Sequence, residues 1–279
     1  MMLRSLLFVP ADRPDRFAKG AGSGADAIIL DLEDSVALAS KQMARDAIAE
    51  FLLESRTTKV FVRVNPLDSG MIDADLAAAL PGKPDGIVLP KAEGANSVQA
   101  LLALIGDASI PVLPIATETP ASVFELGTYY QCRDAIMGVT WGAEDLPASI
   151  GASTSREEDG RYTPPYEMVR SLTLFSAHRA GVQAIETVFP DIWNTEGLGV
   201  YLNCARRDGF TAMMAIHPTQ VTAINGAFTP TEAEVAHAQE VVARFDADPS
   251  LGVVQLGGKM IDRPHLKIAR TILSRAGNF

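Results

Sequence analysis

A chain of 279 residues has room for one large α/β domain or two ordinary ones, and it can bury a substantial core. Its formal charge of −10 argues against a nucleic-acid or anionic-membrane partner, since either favours a basic face, and an anionic ligand would therefore need a local basic patch. Two cysteines, Cys132 and Cys204, are too few for a disulfide framework, and no apolar run reaches the length of a signal core or a membrane span, so a soluble, unprocessed, cytoplasmic protein is expected.

Along the chain, short apolar runs alternate with longer amphipathic stretches, the pattern of βα units around a parallel sheet. The runs are SLLFVP (5–10), AIILDL (27–32), VFVRVN (60–65), GIVLPK (86–91), PVLPIAT (111–117), AIMGVTW (135–141), AIETVF (184–189) and AMMAIHP (212–218). Helical patterns such as SKQMARDAIAEFLLES (40–55) and NSVQALLALIG (96–106) follow most of them. Eight such units predict a (β/α)8 TIM barrel over residues 1–228. The rival, a doubly wound open sheet, usually carries a Gly-rich phosphate loop after its first strand, where this chain has PADRPDR. The polar GASTSREEDGRYTPPYE segment (151–167) occupies the place of a mobile loop over a site. Residues 229–279 form a C-terminal helical extension, opening on a Thr-Pro-Thr-Glu helix start and ending in HLKIARTILSRAG.

In a barrel the chemistry sits at the C-terminal strand ends, and here those ends are rich in charge. The second strand delivers Asp31, Glu33 and Asp34, the third Arg63 and Asn65, the fourth Lys91, the fifth Glu118, the sixth Glu144 and Asp145, and the eighth His217. Any one carboxylate in isolation is more often a helix cap or a solvated loop residue, but recurrence on consecutive strand ends favours a site. Oxygen donors without a Cys or His cluster suit a hard cation such as Mg2+, with Glu118 and Asp145 brought together by neighbouring strands. Thr119 and Pro120 resemble a helix start, which leaves Glu118 a capping alternative. Arg63, inside an apolar run, either binds a substrate carboxylate or enolate or pairs with the acidic cluster. Lys91 is expected to stay charged among anions rather than form a Schiff base, and His217 is either a base or structural.

These residues lie in RSLLFVPADRPDRFAKG, ADAIILDLEDSV, VRVNP, LPKAE, ATETP, WGAEDLPASIG, AIHPTQV and GGKMIDRPHLKIA, and almost end to end the chain resembles the citrate lyase beta-subunit family of the malyl-CoA/citramalyl-CoA lyase group (HpcH/HpaI aldolases). The resemblance implies Mg2+ on Glu118 and Asp145, with Glu33 and Asp34 holding its waters, and Arg63 on substrate oxygens. It implies coenzyme A contacts from Phe8, Arg13 and Lys19. Asp262 in GKMIDRP matches the family's catalytic carboxyl, carried on a C-terminal segment that in relatives reaches a neighbouring subunit, so a homo-oligomer, trimer or hexamer, is implied. Two positions depart from the pattern: relatives often have Gly-Lys before IHP and Asp in the seventh strand, where this chain has FTAMMAIHP and Glu186.

The function expected on these grounds is Mg2+-dependent cleavage of a 3-hydroxyacyl-CoA of malyl, citramalyl or citryl type into acetyl-CoA and a 2-oxo acid. The alternatives are malate-synthase-like condensation with thioester hydrolysis, a citrate lyase beta subunit acting on an acyl-carrier-protein thioester, and a non-catalytic acyl-CoA-binding protein.

Overall fold

A computed structural model describes residues 2–248 and 250–277. The elements follow in the order β1 Ser5–Pro10, α1 Phe17–Ala21, β2 Ala27–Asp31, α2 Lys41–Leu52, β3 Lys59–Arg63, α3 Ile72–Ala79, β4 Gly86–Ala92, α4 Gly94–Ile105, β5 Val112–Ala116, α5 Pro120–Glu125, β6 Gly138–Trp141, α6 Asp145–Ile150, α7 Pro164–Ala180, β7 Gln183–Glu186, α8 Thr195–Asp208, β8 Ala212–Ala215, α9 Pro218–Phe228, α10 Glu232–Ala247, β9 Val253–Leu256, β10 Lys259–Asp262 and α11 Arg263–Ala276. Strands β1 to β8 pair in parallel and in sequence, and β1 closes on β8. The fold is a (β/α)8 barrel, and all eight apolar runs become its strands.

The barrel interior follows from the two-residue period of a strand. Leu6 and Phe8 of β1, Ala27 and Ile29 of β2, Phe61 of β3, Val88 of β4, Leu113 and Ile115 of β5, Ile185 of β7, and Ala212 and Met214 of β8 meet in one apolar cluster. Two residues beyond Ile29 and Phe61 come Asp31 and Arg63, which share the same face at the carboxyl ends. The alternation that fills the barrel with hydrocarbon therefore aims the next pair of side chains, both charged, at its mouth.

Residues 3–225 and residues 226–277 with Met2 are separate compact units. The second unit has its own core of Ala238, Val241, Phe245, Leu256, Ile261, Leu266 and Ala269. Its helix α10 starts at a capping box in which Thr231 and Glu234 satisfy each other's backbone N–H groups. The stretch between α10 and α11 is not helical: β9 and β10 pair as an antiparallel hairpin. Gly257 and Gly258 at its turn have φ of 55° and 77°, the left-handed region a two-residue hairpin turn requires. Among the described residues no helix is long and apolar enough to cross a membrane.

Candidate active site

The mouth of the barrel is organised around Arg63. Its Nε and Nη2 donate to Asp31 Oδ1 and Oδ2 at 2.6 and 2.7 Å, and its Nη1 lies 2.7 Å from Glu33 Oε2. Asp34, half exposed, stands farther off at 3.8 Å, and the Phe8 ring lies under the guanidinium at 4.8 Å. The arginine is thus ion-paired with the acidic cluster, one of the two roles open to it, and the far edge of its planar fork is left for a ligand. Burial works against the ionised form of Asp31, yet Arg63 holds its carboxyl below the ordinary carboxylate range. Glu33 behaves differently: burial and the neighbouring Asp34 and Asp31 outweigh Arg63 and Lys91, and its carboxyl is pushed up to about 7.

Behind these acids lies a buried polar support of which strand-end reasoning found only Asn65. Lys41, at the start of α2 and 7% exposed, donates to Leu32 O, Glu33 O and Asn65 Oδ1 at 2.5, 2.8 and 2.8 Å. Asn65 in turn gives its backbone N–H and its amide to Asp75 Oδ2 at 2.7 Å each, and Arg45 Nε binds Asp75 Oδ1 at 2.8 Å. A lysine beside a Ser helix start reads as surface in sequence; only folding shows it clamping the backbone of the Leu32–Glu33 turn.

Glu118 is 2% exposed. The helix start beside it is capped by Thr119 and Ser122, which exchange the hydrogen bonds of a capping box, so Glu118 is not the cap. Its Oε2 accepts the Lys91 backbone N–H. That N–H is aimed by irregular backbone: the β4–β5 register shifts between Leu89 and Ala92, and Lys91 has φ of 49°. Thr117, immediately before Glu118, has φ of 75°, a conformation that costs a β-branched residue about 1–3 kcal/mol and that recurs at functional sites. Burial above all, with Glu33 and Asp145 adding to it, pushes the Glu118 carboxyl up to about 8. Gly142, just after β6, makes room for this side chain; a Cβ there would stand 2.4 Å from Glu118 Cγ.

Asp145 opens α6, half-buried, and Glu144 precedes it as an exposed residue without a capping hydrogen bond. Ser149 ties α6 to the site by donating to Glu118 O at 2.9 Å. Lys91 Nζ lies 3.2 Å from Glu33 Oε1; burial lowers its pKa, but Glu33, Asp34 and Asp145 raise it overall, which keeps the ammonium charged.

The donor set fits a hard divalent cation. A buried carboxyl at about 8 is protonated at neutral pH unless positive charge arrives, and Glu118 has a backbone amide and a glycine notch to orient it. Among the described residues no three or more His, Cys, Asp or Glu side chains gather into a cage. Two carboxylates with open positions are the Mg2+ pattern, in which waters and substrate oxygens complete the octahedron.

The other expected ligand residues are spread more widely. Phe8 is brought to Arg63, whereas Arg13 and Lys19 are exposed on the β1–α1 segment, and Arg13 is engaged by Asp15 at 3.0 and 2.9 Å. Asp262 belongs to the C-terminal unit, where it is the N-cap of α11, half-exposed, with its Oδ1 2.5 Å from His265 Nδ1. His265 holds its carboxyl below the usual range, so in this state it is a proton acceptor.

A closed (β/α)8 barrel with buried carboxylates, an ion-paired arginine and a charged lysine gathered at the carboxyl ends of its strands defines a barrel enzyme that handles anionic, oxygen-rich substrates. The HpcH/HpaI aldolase/citrate lyase profile matches residues 4–218, and the chain belongs to that family. It is 38% identical over 271 residues to the citrate lyase subunit beta-like protein of Mycobacterium tuberculosis, covering 97% of this chain and 94% of that one. It is 30% identical to the mitochondrial citramalyl-CoA lyase of Rattus norvegicus, covering 98% and 86%. A crystal structure of M. tuberculosis CitE in complex with magnesium, acetoacetate and coenzyme A superposes with a TM-score of 0.84 at 37% identity, covering 99% of this chain and 98% of that one.

Proposed function

We propose that the protein is a Mg2+-dependent carbon–carbon lyase that cleaves a 3-hydroxyacyl-CoA of malyl, citramalyl or citryl type into acetyl-CoA and a 2-oxo acid, working as a homo-oligomer. The observation that carries this reading is the buried Glu118 carboxyl, lodged in the notch left by Gly142 and raised by the charge of Asp145. Magnesium, coenzyme A and acetoacetate in the M. tuberculosis structure support it, as does the activity named for the rat relative.

Glu118 and Asp145 would hold the cation, with Glu33 and Asp34 receiving hydrogen bonds from its waters. Bound there, Mg2+ supplies Lewis acidity toward the substrate hydroxyl and the neighbouring carboxylate. The free edge of Arg63 faces the negative charge that grows on the thioester oxygen as the carbon–carbon bond breaks. Asp31 and Glu33 fix that edge before substrate arrives, and Lys41 fixes Glu33 by gripping its backbone. Phe8, with Arg13 and Lys19, would line the coenzyme A path. Proton transfer at the thioester α-carbon is assigned to Asp262 of a neighbouring copy. As the carboxylate it takes a proton from acetyl-CoA in the condensing direction, and as the acid it returns one in cleavage, while the proton of the substrate hydroxyl passes to water in cleavage and is regained from water in condensation.

Incubation of the purified protein with Mg2+ and malyl-, citramalyl- or citryl-CoA tests the assignment. Acetyl-CoA should appear from at least one, with the matching glyoxylate, pyruvate or oxaloacetate; release from none of the three overturns it.

A further inference from the structure

Beside the acidic rim, between β6 and β7, sits a buried carboxylate that the proposed chemistry does not use. Glu186, the last residue of β7, is 0% exposed. Its Oε1 accepts Trp141 Nε1–H at 2.6 Å and the Thr187 backbone N–H at 3.0 Å, and its Oε2 accepts Arg170 Nε–H at 2.7 Å. Arg170 continues to Asp208 at 2.8 Å and lies over the Phe210 ring at 4.6 Å, so the guanidinium is fixed at both ends.

Trp141 is where this network meets the site. It is the last residue of β6, fully buried, and directly precedes Gly142, whose missing side chain admits Glu118. On its other side the indole packs edge-on against Tyr162, with ring centroids 5.0 Å apart. Tyr162 closes the loop over residues 151–163. It bridges to Arg156 through the backbone, and the Arg156 guanidinium stacks 4.0 Å over its ring and donates to its hydroxyl at 2.6 Å. One indole therefore touches the buried carboxylate and the loop, and it ends the strand that leads to Gly142 and Asp145. A buried indole N–H without an acceptor is destabilising, and a desolvated Glu–Arg pair adds little net stability over hydrocarbon, so what the pair supplies is a fixed ring orientation.

We propose that Glu186 is a positioning residue: by holding the Trp141 indole it fixes the β6 end that presents Gly142 and Asp145 together with the seat of the 151–163 loop, so that loop and cation site respond as a unit. The proposal rests on reading Glu118 and Asp145 as the divalent-cation pair.

The experiment uses the full-length protein, stripped of metal and titrated with Mg2+ by calorimetry, with amide hydrogen exchange read in parallel. In the native chain Mg2+ should bind and should slow exchange across residues 151–163. Trp141→Phe keeps a ring but removes the N–H donor; it should raise the Mg2+ dissociation constant about tenfold, the lower end of the range for groups that orient metal ligands, and should uncouple loop exchange from Mg2+. The double variant Glu186→Gln with Arg170→Met keeps an acceptor for the indole and removes the buried charges, and it should bind Mg2+ within about twofold of the native protein, because the ring is still held. The chain's two tryptophans are Trp141 and Trp193, and Trp193 is 76% exposed, so Trp193→Phe leaves Trp141 as the fluorescent reporter, whose emission should change with the same midpoint. Unchanged Mg2+ affinity in Trp141→Phe overturns the proposal. So does native loop exchange indifferent to Mg2+, a result that needs no variant to fold. A native protein that binds no Mg2+ at all overturns the cation reading instead, and does so before any substitution is made.

Discussion

Asp31 and Arg63 are register partners at the ends of β2 and β3, and their side chains meet in a two-point ion pair at 2.6 and 2.7 Å with both groups nearly out of solvent. A pair so placed aims the remaining guanidinium edge and cannot be softened without cost. Arg63→Lys keeps the charge but loses the fork, and we expect kcat/KM to fall about 100-fold, the scale of losing one preorganised donor to a developing oxyanion. Arg63→Ala strands Asp31 and Glu33 in the interior and should lower unfolding stability by about 3–5 kcal/mol in denaturant titration.

Gly142 offers a cleaner dissection of the cation site. Its substitution by Ala puts a methyl group where Glu118 now lies while leaving both carboxylates in the chain. The expected result is a Mg2+ dissociation constant raised about 10- to 100-fold, with unfolding stability changed by about 1 kcal/mol. Native affinity in this variant would show that Glu118 does not bind the ion from its notch.

The two raised carboxyls set a pH dependence with a definite sign. Glu33 at about 7 and Glu118 at about 8 hold their protons in the folded state at pH values where an unfolded glutamic acid has lost its own. The stability they contribute is complete below about pH 4 and is lost as pH rises through 7 and 8. Metal-free protein should therefore melt lower at about pH 8.5 than at about pH 6, and saturating Mg2+ should raise Tm most at the alkaline end, where Glu118 is free to ionise. Differential scanning calorimetry across that range checks both statements, and Glu118→Gln should flatten the metal-free slope.

Asp262 is half-exposed, a helix cap and held below the ordinary carboxylate range by His265, so it acts as an acceptor until something buries it. If it serves a neighbouring copy, Asp145→Ala and Asp262→Asn should each be inactive alone, while oligomers formed by co-expressing the two should regain activity through sites that combine an intact cation pair with an intact Asp262. Mixed oligomers without activity would sink the intersubunit assignment.

The barrel itself was legible in the sequence because strand period and burial are local. Each apolar run of six or seven residues had to become a buried strand, observed at four to seven, and the turn after it had to carry whatever polar residues came next. That alone put Asp31, Glu33, Arg63, Lys91, Glu118 and Asp145 on one rim, and a helix start in the Thr-Pro-Thr-Glu stretch was equally plain, although only the structure sets its cap at Thr231. The β9–β10 hairpin was hidden, since two short, half-exposed strands around Gly257 and Gly258 carry little apolar signal.

What sequence could not decide is how neighbours divide the charge. Whether Arg63 is paired, whether Glu33 and Glu118 are protonated, and whether Lys41 lies on the surface or under the Leu32–Glu33 turn all depend on distances between strands far apart in the chain. A carboxyl's ionisation is set by the water it loses and the charges it meets, and both are properties of the closed barrel. Sequence fixes which groups arrive at the mouth; packing decides which of them are acids, which are anions, and which merely hold the others in place.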